Sequence, residues 1–326
     1  VETTAPTSYA QVASGAWEMY GVVYNAADGD LQLSSKSVNT FDVSAAVYSQ
    51  TFSVASQDTG PSGIAFNTNG TKMFVVGLTG DNVYEYMLST GFDISTSSFV
   101  DSFSVSAQET NPAGLAFNTD GTKMFVVGYG SDSVNEYTLS TGFDVSTASF
   151  VDAFSVASQD TSPAGLAFNA DGTKMFIAGR VGVDINEYTL NTGFDVSTAS
   201  FVDNFSVSAQ DTDIWDVAFN TDGTKMFVLG GTGKDVNEYA LTTGFDVSTA
   251  SFTDSFSVAA QDIYPRALTF NSNGTKMFVA GSQGDDVNEY NVGSSAITSG
   301  YNAVHTTASI DSTYWTDINS MTADQA

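Results

Sequence analysis

Three cations, three aromatic rings and two acids stand out as groups able to do chemistry: Arg180, Lys234 and Arg266; Tyr129, Trp215 and Tyr264; Asp213 and Asp216. Aromatic rings stack on the apolar faces of pyranose sugars, and a guanidinium offers a carboxylate two parallel hydrogen bonds. Such a set suits a sugar or an acidic glycan. The two carboxylates invite a second idea, because glycoside hydrolysis needs a pair of acids flanking one bond. Asp213 and Asp216 sit three residues apart on one segment, which is a poor arrangement for approaching a bond from opposite sides. The single histidine, His305, has no Ser/Asp context of a triad, and no HExxH, P-loop or dinucleotide fingerprint occurs. The residues therefore favour binding over catalysis, with no cofactor and no metal.

These groups are conspicuous because most of the chain repeats. FNTDGTKMFVVG and its variants begin at Phe66, Phe117, Phe168, Phe219 and Phe270, and a second segment like FDVSTASFVDSFSV begins at Phe41, Phe92, Phe143, Phe194 and Phe245, all 51 residues apart. A period of this length marks an array of supersecondary units that bury their faces on one another. In the second copy, residues 113–118, 123–127, 134–139 and 150–156 read as strands, with an Asp-Gly turn between the first two. Four antiparallel strands per repeat are the sequence form of propeller blades. The array opens with a lone fourth strand, residues 47–54, and stops after a third strand, residues 287–292. The N-terminal strand is thus expected to complete the last blade and close a five-bladed β-propeller. An open solenoid would leave the offset ends unexplained.

The hairpin motif resembles the signature of YVTN/TolB-type propellers, a Phe-x-x-Asp-Gly turn followed by an apolar strand. That resemblance covers residues 41–292 and implies the blade, within a group that includes binding scaffolds, surface proteins and some enzymes. Residues 1–40 and 293–326 do not repeat and are expected to serve in assembly or attachment, or in oligomer formation. The stretch STYWTDINSMTADQA resembles segments of large marine phage virion proteins. A chain starting at Val1 rather than Met is expected to be a processed form or a piece, and its abrupt end points to a longer polypeptide.

Strands alternate in direction, so connecting loops fall on two opposite faces of the ring. The first-to-second turns and third-to-fourth loops are nearly identical in every copy. The second-to-third and fourth-to-first loops diverge, and they carry all eight residues named above. Loops on a rigid scaffold are where binding resides. Among the repeated residues, Glu85 and its equivalents are expected to pair across strands with Lys72 and its equivalents as modest, exposed ion pairs. Asp58, Glu109, Asp160, Asp211 and Asp262 are expected to stabilise turns; their loop lacks the alternating spacing of a calcium motif. Met73 and its equivalents read as core between blades.

Of 326 residues, 42% are hydrophobic and none is cysteine, so packing must supply stability without disulfides or thiol chemistry. The net charge of −28, with nine Lys and Arg, argues against nucleic acid and anionic membrane surfaces. No apolar run is long enough to cross a bilayer. The resulting expectation is a non-enzymatic extracellular recognition or structural module, such as a virion fibre or surface decoration, whose partner is a cell-surface glycan or another surface protein. A purely structural spacer and a polysaccharide-active enzyme are the alternatives.

Overall fold

The computed structural model describes residues 40–292 and the backbone of two strands, residues 19–25 and 30–35. Residues 40–292 form five four-stranded antiparallel sheets. In the second, the strands run Pro112–Phe117, Lys123–Gly128, Ser133–Leu139 and Ala148–Ser155 from the axis outward. These bounds lie within two residues of the expected ones. In the fifth sheet Pro265–Phe270, Lys276–Gly281 and Asp286–Asn291 are completed by Val47–Ser53. Asp286 pairs with Ser53 and Asn291 with Val47, which closes the ring as the offset ends require.

The second strand of every blade is buried on both faces because it lies between two neighbours. Met73, Phe74, Val75 and Val76 are all fully buried, and the other four copies repeat the pattern. Five apolar clusters result, one at each blade interface including the closure. At each interface a Phe of one second strand meets the Phe ending the next blade's first strand: Phe74–Phe117 at 4.5 Å, Phe125–Phe168 at 4.6 Å, Phe176–Phe219 at 4.4 Å, Phe227–Phe270 at 4.6 Å and Phe278–Phe66 at 4.6 Å. The hairpin glycine is required locally. Gly121 has φ +71°, and the Phe143 ring lies where its Cβ would stand.

The repeated Lys and Glu pair at 2.7–2.8 Å in all five blades, but the pairs are not surface features. The five glutamates are 1–7% exposed. Glu136 Oε1 accepts from Lys123 Nζ, while its Oε2 accepts from the Val196 amide of the next blade at 3.1 Å. Lys123 Nζ also donates to the Phe194 carbonyl at 2.6 Å. Each pair therefore clasps the short 3-10 turn that precedes its neighbour's outer strand. The last two clasps run from Glu238 to Val43 and from Glu289 to Ile94, across the closure.

Outside the propeller, Met19–Asn25 pairs antiparallel with Asp30–Ser35. The YWTDINSM stretch and the expected roles of residues 293–326 lie outside the described residues, as does most of 1–39. Among the described residues, no helix is long and apolar enough to cross a membrane.

Candidate functional site

On the variable face, the fourth and fifth blades break the small-residue pattern of the first strand. Its second position reads Ser62, Ala113, Ala164, Trp215 and Arg266 around the ring. Trp215 joins one apolar cluster with Ala113 and Ala164, and Tyr129 packs against that cluster. The guanidinium carbons of Arg180 and Arg266 each lie 3.6 Å from the centre of the indole. Arg180 comes from blade three and Arg266 from blade five, on either side of Trp215 in blade four, so the indole is held between two cations. Asp213 ties the arrangement: its Oδ1 accepts from Arg180 at 2.9 and 3.0 Å, and its Oδ2 accepts from the indole N–H at 3.2 Å. Arg266 Nε donates only to Ser282 Oγ, at 3.3 Å, and no carboxylate among the described residues forms an ion pair with it. Burial pushes the Arg266 guanidinium below its ordinary range, and the Arg180 charge adds to the shift; Tyr129, Asp213 and Asp262 oppose it.

The repeated acids build the loops that carry these groups. Asp211 Oδ1 accepts from the Asp213 amide at 2.8 Å and its Oδ2 from Gly233 at 2.7 Å, joining the fourth-to-first loop to the second-to-third loop. Asp262 does the same for Tyr264 at 2.5 Å and Gly284 at 3.2 Å. The acids thus hold loops in place, and among the described residues no cluster of three or more candidate ligands suits a metal ion.

Five of the eight expected residues are brought together: Tyr129, Arg180, Asp213, Trp215 and Arg266. Trp215 does not present a free face to a sugar; it is 7% exposed, with both faces covered by guanidinium groups. Tyr264 is 54% exposed at the rim. Lys234 is a turn residue at φ +54° whose Nζ donates back to Thr232 O at 3.1 Å. Its equivalents Asp81, Asp132 and Asp285 share that left-handed conformation, which was the signal for a turn role.

Asp216 is the main correction. It does not stand at the mouth of the variable face. Alternate residues of a strand point to opposite sides, so Asp216 turns away from Trp215 into the wall of the central channel. There its Oδ1 accepts from the Val217 amide at 2.8 Å and its Oδ2 from the Leu268 amide of blade five at 2.7 Å, with the Leu166 amide a further donor. Burial pushes its carboxyl up to about 7, against the pull of those three amides. The folded chain then holds this proton up to about pH 7, whereas the unfolded chain releases it near 3.8. Stability is expected to fall as pH rises between those values, by up to about 1.4 kcal/mol per unit, and denaturant midpoints should show a flatter profile for Asp216→Asn. The neighbouring strand leaves no slack. A Cβ on Gly165 would stand 2.5 Å from Asp216 Cα and closer to its Oδ1, so Gly165→Ala should lower stability by about 1–3 kcal/mol in chemical unfolding.

The position just after the second strand rings the same mouth with Leu78, Tyr129, Arg180, Gly231 and Ser282; Tyr129 and Arg180 were expected there, and Gly231 and Ser282 were missed. Gly231 is the residue that makes room for Trp215, whose Nε1 lies 2.6 Å from where a Cβ would be. Below Asp216 the channel widens into a cavity of about 360 Å³ running to the turns of the invariant face.

No family model and no curated protein sequence matches the chain. Among solved structures, a protein from Lactobacillus plantarum is similar at 15% identity, over 71% of this chain and 67% of that one, with a TM-score of 0.47. A functionally unknown protein from Desulfotomaculum acetoxidans is similar at 15% identity over 71% and 68%, with a TM-score of 0.45. A Bacteroides uniformis protein named as a "putative 6-phosphogluconolactonase" is similar at 14% identity over 83% and 72%, with a TM-score of 0.46. Likeness at this level says nothing of what this chain binds or does.

Proposed function

We propose that the propeller is a non-enzymatic recognition module whose variable face binds a carboxylate-bearing glycan, with Arg266 as the primary contact. One observation carries the reading. The five repeat lysines are each paired with a buried glutamate, and Arg180 is paired with Asp213. Of the other described cations, Lys234 folds back onto the Thr232 carbonyl, whereas Arg266 is stacked at 3.6 Å on Trp215 with no acidic partner among the described residues. A preformed, partly desolvated guanidinium loses little freedom on binding and meets a carboxylate with two hydrogen bonds. Trp215 acts as the platform that aligns the cations rather than as the sugar-stacking ring. Tyr264, exposed at the rim, supplies that ring.

Two features favour binding over turnover. Asp213 is engaged by Arg180, and Asp216 faces the channel, so the two carboxylates do not converge on one bond. The setting we propose is an extracellular assembly such as a virion fibre or surface decoration, in keeping with the likeness of the C-terminal stretch. With an oligouronate as ligand, Arg266→Ala should weaken binding at least about tenfold, equivalent to about 1.4 kcal/mol, and Arg266→Lys should recover part of the loss. Affinity unchanged in Arg266→Ala, measured by calorimetry, contradicts the assignment.

A second reading, assembly without a small ligand, is favoured by the outer strands. Phe99, Val100, Phe150, Val151, Phe201 and Val202 are all exposed on the outer strands of three blades, and exposed apolar surface that gathers into a patch marks contact with another protein.

A further inference from the structure

We infer that the channel on the invariant face is a second binding site, taking a small organic cation with an apolar body whose ammonium group pairs with Asp216. The cavity holds about 360 Å³, within the range of small-molecule pockets. Its mouth region is lined by the phenylalanines that end the five first strands: Phe66, Phe117, Phe168, Phe219 and Phe270. Asp216 is the only ionisable side chain in that lining.

The chemistry follows from where the ring loses its symmetry. The position of Asp216 is Gly63, Gly114, Gly165 and Ala267 in the other blades, so a single carboxyl interrupts an otherwise small and apolar collar. An ionised carboxylate has about four lone-pair sites. Three backbone amides use most of them, leaving room for one further donor from the channel. No cation of the chain reaches this carboxylate among the described residues, and its raised pKa reflects burial without a compensating positive charge. An ammonium group would supply that charge. The surrounding phenylalanines and aliphatic side chains accept an apolar body. A chain of net charge −28 also concentrates small cations near its surface. The site is separate from the anion site proposed above: Trp215 and Asp216 are successive residues of one strand, so their side chains point to opposite sides.

The test is calorimetric titration of the full chain with 2-phenylethylammonium, 2-phenylethanol and potassium ion, at a pH above the Asp216 transition. One-to-one binding of the amine is expected, with the alcohol and the potassium ion at least about tenfold weaker. Asp216→Asn should reduce amine affinity by a similar factor. Ala116→Leu, which adds bulk to the cavity lining and keeps Asp216, should abolish binding even if Asp216→Asn fails to fold. Equal binding of amine and alcohol, equal binding of potassium, amine affinity unchanged in either variant, or no amine binding at all overturns the inference.

Discussion

Excision of residues 41–54 is expected to abolish the cooperative unfolding transition and leave a self-associating chain. This segment supplies the outer strand of the fifth blade, Val47–Ser53, and the 3-10 turn before it. Phe41 and Val43 belong to the apolar cluster between blades four and five, and Val54 to the one between five and one. Burying each such side chain is worth about 1.5–3 kcal/mol, so together they approach the whole net stability of an ordinary domain, about 5–15 kcal/mol. Polar ties go with them. Gln50 Nε2 donates to Glu289 at 2.8 Å and to Asp93 of blade one at 2.9 Å, joining the last blade to the first. The third strand Asp286–Asn291 would become a free edge, a template for pairing with other chains. Light scattering and denaturant unfolding check this, and a synthetic peptide of residues 41–54 added in trans should restore the monomer. A monomeric, cooperatively unfolding variant contradicts the closure.

Glu136→Ala should destabilise the chain by about 1–3 kcal/mol, the cost of leaving a buried polar group without its partner. The substitution strands the ammonium of Lys123 and leaves the Val196 amide without its acceptor. An exposed pair of the same length would contribute less than about 1 kcal/mol, so the shift in unfolding midpoint separates a clasp between blades from a surface contact. Glu136→Gln retains an acceptor for Val196 and should lose less. Adding Lys123→Met to Glu136→Ala should recover part of the loss, because the unpaired charge is then gone.

Much of the scaffold was legible because the repeat exposes its own logic. The Asp-Gly turns fixed the hairpins, and the lone strand before the first full copy required a partner at the far end. The clasp was half legible. Thirteen residues separate Lys123 from Glu136 across a hairpin, which predicts their contact. The third partner, Val196, lies 60 residues from Glu136, and no local pattern announces it. The site followed the same division. Divergence among copies picked out Trp215, Arg180 and Arg266, but not that the two guanidinium groups would enclose the indole, since that depends on side chains from three blades meeting over the axis. Asp216 was misplaced although strand alternation, together with glycine at the same position in three other blades, pointed inward. Charge alone marks Lys234 as a ligand contact, where the turn position of its equivalents Asp81 and Asp132 is the better guide.

The most direct measurement is a paired titration of the full chain with an oligouronate and with the same oligosaccharide after its carboxyl groups have been reduced to alcohols. Saturable binding of the charged sugar, weakened by added salt and absent or at least about tenfold weaker for the reduced one, is the result that recognition through Arg266 predicts. Equal affinity for both sugars, or no binding of either, contradicts it.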